Sequence, residues 1–130
     1  MAHGIVHFEI PADDPEKLVD FYTNLFGWQI QKYDMGGTPY WGVMTVPSND
    51  QGMPNEPGAI NGGLFNRQAP GQQPTNYVSV ESVDEYANKA KGLGATVLME
   101  RQAVPNMGWF AIISDPTGAI FGIWQTARKA

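Results

Sequence analysis

Tyr40-Trp41-Gly42-Val43-Met44-Thr45-Val46 returns later in the chain as Gly108-Trp109-Phe110-Ala111-Ile112-Ile113-Ser114, again with a tryptophan second and a β-rich run behind it. Trp41 and Trp109 lie 68 residues apart, and Leu25 and Leu93 keep the same offset. Ala59-Ile60-Asn61-Gly62 matches Ala119-Ile120-Phe121-Gly122 at an offset of 60. The segment from 47 to 58 has twelve residues and its counterpart from 115 to 118 has four, so one loop-length difference of eight reconciles both offsets. Self-similarity at a fixed spacing marks a duplicated structural unit.

Each half of the repeat reads as strand, helix, then three strands. Ile5 to Ile10 alternates as a strand and runs into Pro11-Ala12-Asp13-Asp14-Pro15, where an Asp cap and a first-turn proline open a helix. Leu18, Phe21, Tyr22 and Leu25 fall at i, i+3, i+4 and i+7, the apolar stripe of that helix, and Gly27 closes it. Trp28 to Tyr33, Tyr40 to Val46 and Ala59 to Phe65 follow as strands, with a turn at Met35-Gly36-Gly37-Thr38-Pro39. Beyond the polar linker Gln68 to Pro74 the order restarts. Asn76 to Val80 is a strand, and Ser82-Val83-Asp84-Glu85 is a capping box opening a helix with Val83, Tyr86, Ala87 and Ala90 on one face. Ala95 to Met99, Gly108 to Ser114 and Ala119 to Trp124 complete the second half, with a tight turn at Asp115-Pro116-Thr117-Gly118. The domain 1–130 thus consists of module 4–67 and module 75–126.

Composition narrows the function classes. The 130 residues include no Cys, which removes disulfide scaffolds, Cys-ligated metal centres and thiol nucleophiles. Thirteen acidic against eight basic residues argue against a nucleic-acid partner. The longest apolar runs, such as Phe110 to Ile113, are too short to cross a bilayer, so no membrane partner is expected. Met1-Ala2-His3-Gly4-Ile5-Val6 has neither the basic nor the apolar region of a signal peptide, which makes a cytoplasmic protein the expectation.

The doubled βαβββ unit resembles the vicinal oxygen chelate superfamily, which includes glyoxalase I, bleomycin-resistance proteins and extradiol dioxygenases. The resemblance rests on His7-Phe8-Glu9-Ile10, Asp20-Phe21-Tyr22, Leu25-Phe26-Gly27-Trp28 and Asp115-Pro116-Thr117-Gly118. Pro105 to Phe110 and Phe121-Gly122-Ile123-Trp124 are similar to a glyoxalase-like branch of mostly unassigned activity. It implies an α+β fold, a curved mixed sheet around a cleft, and a homodimer. It also implies a divalent metal held by one residue from the first and last strand of each module. On this sequence those positions are His7, Gly62, Thr75 and Gly122, of which only His7 carries a metal-binding side chain. No metal or other cofactor is therefore expected. A shifted register would bring Asn61, Asn76 or Tyr77 into play without restoring a carboxylate or imidazole set.

The remaining candidates follow from strand alternation. Glu9 shares the face of His7 and is a candidate second ligand or general base, against the alternative of a carboxylate paired with Arg67 or Arg101. His3 has the same parity but lies about 13 Å along the strand, too far to share an ion with His7, and is expected to be an ordinary exposed residue. Tyr77 and Ser79 lie opposite Val78 and Val80 and should look into the cleft, as should Trp124 through its parity with Gly122. Trp28, Trp41, Trp109 and Trp124 form either a stacking wall for a planar ligand or, for at least half of them, ordinary core. Glycine at 62 and 122 either makes the cleft roomier or marks a strand bend. The Pro47–Gly58 loop is either a lid or a surface insertion. Together these point to a protein that binds a small molecule in the cleft at His7, Glu9, Asn61, Gly62, Thr75, Tyr77, Ser79, Gly122 and Trp124. The alternatives are a divergent metal-dependent lyase, isomerase or dioxygenase of the same superfamily, and a drug-sequestering resistance protein.

Overall fold

The computed structural model describes residues 3–35, 38–50 and 52–127; Gly36 and Gly37 of the expected turn lie outside them. Its elements run β1 (Ile5–Ala12), α1 (Pro15–Phe26), β2 (Gln29–Met35), β3 (Thr38–Met44), β4 (Gly62–Asn66), β5 (Thr75–Ser79), α2 (Val83–Gly92), β6 (Thr96–Val104), β7 (Gly108–Ser114) and β8 (Ile120–Thr126). The order βαβββ occurs twice, in an α+β fold. Two compact units result, one spanning His7–Pro74, the other running from Thr75 onward together with the segment ending at Val6. That N-terminal segment is held in the second unit by Ser79 N–H donating to Gly4 O at 2.9 Å.

Both units pair their strands alike. In the first the order is β2-β3-β4-β1, with β1 parallel to β4 and the other pairs antiparallel. In the second it is β5-β8-β7-β6, with β5 parallel to β8. The parallel pair in each follows from the crossover helix that joins its first strand to the rest.

The helix ends behave as their residues dictate. Asp14 accepts from Lys17 N–H at 3.2 Å ahead of Pro15, and Gly27 takes the left-handed conformation at φ 73°, which a Cβ would penalise. Ser82 accepts from Glu85 N–H at 3.1 Å. One part of the stripe differs from expectation: Phe21 and Leu25 are 53% and 56% exposed, while Pro15 is buried and Leu18 and Val19 pack on the core. The helix is rotated so that its i, i+3, i+4 face is carried by 15, 18, 19 and 22, and Tyr22 stacks on Trp28 at 5.1 Å.

The cores sit between each helix and its sheet. In the first unit Ala12, Trp41, Val43 and Leu64 are buried, with Phe8, Ile10 and Trp28 against them. In the second Val80, Val83, Ala87, Ala111, Ile113 and Ile123 form the equivalent cluster, with Val78, Trp109 and Phe121 alongside. Three of the four tryptophans, Trp28, Trp41 and Trp109, therefore belong to cores. Strand β6 runs on to Val104, beyond the expected Met99, because register shifts between Val97 and Gln102 let it continue past the irregularity.

Candidate functional site

Alternation along β1 sends Phe8, Ile10 and Ala12 to the core and leaves His7 and Glu9 on the opposite face of the first unit's sheet. On that face Glu9 Oε2 accepts two hydrogen bonds, from His7 Nε2 and from the Tyr40 hydroxyl at 2.7 Å. An ionised carboxylate only accepts, so Nε2 is the protonated ring nitrogen in this arrangement. The Tyr40 hydroxyl also lies 3.5 Å from His7 Nε2. The Glu9 side chain is 16% exposed and that of His7 34%, so this is a half-buried cluster where hydrogen bonds to charge are stronger than in water. Oε1 of Glu9 accepts no hydrogen bond among the described residues, and no buried side-chain oxygen or nitrogen there lacks a partner, so Oε1 is reachable from solvent.

Tyr40 was missed by sequence reasoning, although a signal existed. It lies on β3 one residue from the core-facing Trp41, and Gly63 pairs with Glu9 across β1 and β4. A methyl group at Gly63 would fall 1.7 Å from the Tyr40 hydroxyl oxygen, so glycine there is what admits the Tyr40 ring. Neither arginine pairs with Glu9 as anticipated: Arg67 bonds Asp13 at 2.9 Å and the Gln72 carbonyl, and Arg101 pairs with Asp84 at 3.1 Å.

The position of Gly62 needs correction. It is paired with Phe8, and a Cβ there would meet the Phe8 carbonyl at 2.4 Å and ring at 2.5 Å, so it faces the helix side. Core-facing Leu64 corresponds to core-facing Ile123, which makes Gly63, 59 residues before Gly122, the true counterpart. One residue of register inverts every side chain in a strand. The glycines also do not open space. Tyr40 covers Gly63, and a Cβ at Gly122 would lie 2.3 Å from the Tyr77 ring.

In the second unit Tyr77 faces away from α2 as expected, but it is buried, with its ring edge-on to Phe110 at 6.2 Å. Thr75, Ser79 and Trp124 share that parity, and the Trp124 indole donates to Thr126 Oγ1 at 3.0 Å. Asn61 is engaged elsewhere. Its Oδ1 accepts from Thr45 N–H at 2.8 Å and Thr45 Oγ1 at 3.1 Å, while Nδ2 donates to Ser48 Oγ at 2.8 Å and the Gly52 carbonyl at 3.0 Å. These bonds draw Thr45 out of the β3 ladder, which is why that strand ends at Met44, and they tie down the start of the Pro47–Gly58 loop. The loop also carries its own bridge between Ser48 and Pro54. His3, though exposed, is anchored by Ser79 O at 2.9 Å and the Tyr86 hydroxyl at 3.1 Å.

A catalytic divalent ion needs about three protein ligands. Among the described residues no three His, Asp or Glu side chains gather, and the two that meet, His7 and Glu9, bond each other. The donor set does not fit the metal implied by the resemblance.

A family model described as the Glyoxalase/Bleomycin resistance protein/Dioxygenase superfamily matches residues 4–123. The "Putative glyoxylase CFP32" of Mycobacterium tuberculosis is 29% identical over 125 residues, covering 92% of this chain and 44% of that protein. The anthracycline biosynthesis protein DnrV of Streptomyces peucetius is 26% identical over 134 residues, covering 91% and 45%. This chain thus spans less than half the length of these curated relatives. Among solved structures, a hypothetical protein of Bacillus halodurans has a TM-score of 0.70 at 13% identity, covering 100% of this chain and 99% of that one. Methylmalonyl-CoA epimerase of Streptomyces coelicolor, in complex with 2-nitronate-propionyl-CoA, has a TM-score of 0.67 at 17% identity, covering 95% and 97%. At these identities the structures establish the shared fold.

Proposed function

The chain belongs to the glyoxalase/bleomycin resistance protein/dioxygenase superfamily, and from that premise we propose that it binds a small molecule at the His7–Glu9–Tyr40 cluster without the superfamily's four-ligand metal site. One observation carries the reading. Glu9 Oε2 is held by His7 and Tyr40 while Oε1 accepts no hydrogen bond among the described residues and is reachable from solvent, a pre-positioned acceptor for a ligand that brings a hydrogen-bond donor. The two donors fix the carboxylate rotamer, so ligand binding need not first order the site.

The same arrangement supports a second reading, proton transfer by Glu9 with Tyr40 and His7 completing the hydrogen-bonded chain. The methylmalonyl-CoA epimerase likeness makes an acyl-CoA a reasonable probe for it, and the named relatives make a hemithioacetal and an anthracycline reasonable others. The test is calorimetric titration of these three, together with bleomycin, into wild type and Glu9→Gln. Elemental analysis is run on the same preparation. Binding of a probe that Glu9→Gln weakens at least about tenfold, without turnover, supports the first reading; turnover lost in Glu9→Gln supports the second. Zinc, nickel, manganese or iron retained stoichiometrically by wild type and lost in His7→Ala overturns the metal-free reading.

A further inference from the structure

We propose that a groove between α2 and its own sheet in the second unit binds a small aromatic monocarboxylate, at a site separate from His7, Glu9 and Tyr40. The groove has a volume of about 260 Å³ and is walled by Tyr86 and Ala90 of α2, by Leu93 just beyond its end and by Val78 and Ile123 of the sheet, with the exposed Lys89 and His3 also lining it. It lies on the helix side of the sheet. Its walls are almost wholly apolar, and the volume is just below the roughly 300 Å³ at which pockets for drug-sized ligands begin, so it suits a molecule of about one ring and a short chain.

The duplication explains why space exists there. The helices align at the offset of 68 residues, since the caps Asp14 and Ser82 and the buried Pro15 and Val83 correspond. On that alignment Leu18 corresponds to Tyr86, Phe21 to Lys89, Tyr22 to Ala90 and Leu25 to Leu93. In the first unit Tyr22 stacks on Trp28 at 5.1 Å, and Trp28 packs toward Phe8 at 6.3 Å, filling the edge of the helix–sheet junction with aromatic rings. In the second unit Tyr22 is replaced by Ala90, and Ala95 is the residue before β6 as Trp28 is before β2. Tyr22 and Trp28 have become Ala90 and Ala95 while one ring is gained where Tyr86 stands for Leu18, and a groove beside Ala90 remains. A ligand ring restores the contacts that the first unit makes with its own side chains.

The charge of the occupant follows from Lys89. Its neighbour Lys91 is paired with Glu100 at 3.2 Å and Arg101 with Asp84, but Lys89 makes no ion pair among the described residues. Its ammonium lies 5.5 Å from the centroid of the Tyr86 ring, folded back along the groove wall. His3, held against the same Tyr86, adds a second group that gains from an anion when protonated. A cation at the border of an apolar slot selects an apolar body with a carboxylate at one end.

The test uses the ¹⁵N-labelled 130-residue chain titrated with 4-phenylbutyrate, followed by amide chemical shifts, with 4-phenylbutan-1-ol as the neutral control. Saturable shifts are expected at Val78, Ala90 and Leu93, with the acid binding about threefold to fivefold tighter than the alcohol. Lys89→Gln is expected to bring the acid down to the level of the alcohol, and Ala90→Trp to abolish binding of both. Should Ala90→Trp not fold, the Lys89→Gln comparison decides alone, because Lys89 is exposed and outside the core. Equal affinity for acid and alcohol in wild type, binding retained in Ala90→Trp, no saturable shift, or shifts confined to His7, Glu9 and Tyr40 would each overturn the proposal. Concentration-dependent shifts of the groove amides without probe would assign the groove to a second copy of the chain and overturn it too. Because the readout lies in the second unit, failure here leaves the Glu9 reading standing, and the reverse.

Discussion

Replacing Gly63 by alanine should damage the protein chiefly through Tyr40. The added methyl group would lie 1.7 Å from the Tyr40 hydroxyl oxygen, 2.2 Å from Cζ and 2.8 Å from Cε1, so the ring must move. Moving it breaks the 2.7 Å bond to Glu9, worth about 1.5–3 kcal/mol for a hydrogen bond to a charged group. Residual overpacking adds about 1–3 kcal/mol if the ring moves only part way. The two costs trade against each other, which puts Gly63→Ala near 3 kcal/mol, within the roughly 5–15 kcal/mol that a domain of this kind possesses. In a Tyr40→Ala background the obstacle is gone. There the same substitution should cost under about 0.5 kcal/mol, or stabilise slightly by restricting the unfolded chain. The assay is a double-mutant cycle by urea unfolding, read by the fluorescence of the four tryptophans. A Gly63→Ala cost that agrees within about 0.5 kcal/mol in both backgrounds would refute the reasoning, since the glycine would then not be serving Tyr40.

Gly122→Ala places a methyl group 2.3 Å from the Tyr77 ring and should destabilise by about 1–3 kcal/mol, checked by the shift in urea midpoint. Asn61→Ala removes the side chain that makes four bonds, two with Thr45 and one each with Ser48 and the Gly52 carbonyl; with each bond worth about 1 kcal/mol net, a loss of about 4 kcal/mol and faster proteolysis between Ser48 and Gly58 are expected. Asp115 is held below its ordinary 3.8, first by the Thr117 hydroxyl and then by the backbone N–H groups of Thr117 and Ala119. A depressed carboxyl contributes stability that is present above its unfolded value and is lost as pH falls through the folded one. Asp115→Ala should therefore lower the Tm at neutral pH and flatten its fall on acidification below about pH 4, measured by thermal unfolding across that range.

Both caps, the αL glycine after α1, and the Asp115 turn were legible because each is local chemistry: a side chain answering backbone N–H groups within a few residues. The capping box Ser82-Val83-Asp84-Glu85 and the spacing of Val83, Tyr86, Ala87 and Ala90 placed the second helix and its core face correctly. The offset of 60 for the last strand did not hold for facing, because Ala-Ile-x-Gly repeats by residue type while the sheet repeats by parity, and Gly62 shares the side of Phe8. Phe21 and Leu25 read as core by spacing, yet helix rotation is set by what the sheet offers, and Leu18, Val19 and Tyr22 meet it instead.

The doubled βαβββ order and the shared face of His7 and Glu9 were legible in the amino-acid sequence, since duplication and strand alternation are properties of the chain read in order. It takes the folded chain to bring Tyr40 to them, to show that Gly63 and Gly122 make room for tyrosines rather than for a ligand, and to leave a groove at Ala90 where Tyr22 fills one. Each of these depends on side chains from strands or helices far apart in sequence meeting across a few ångströms, and such contacts are set by packing.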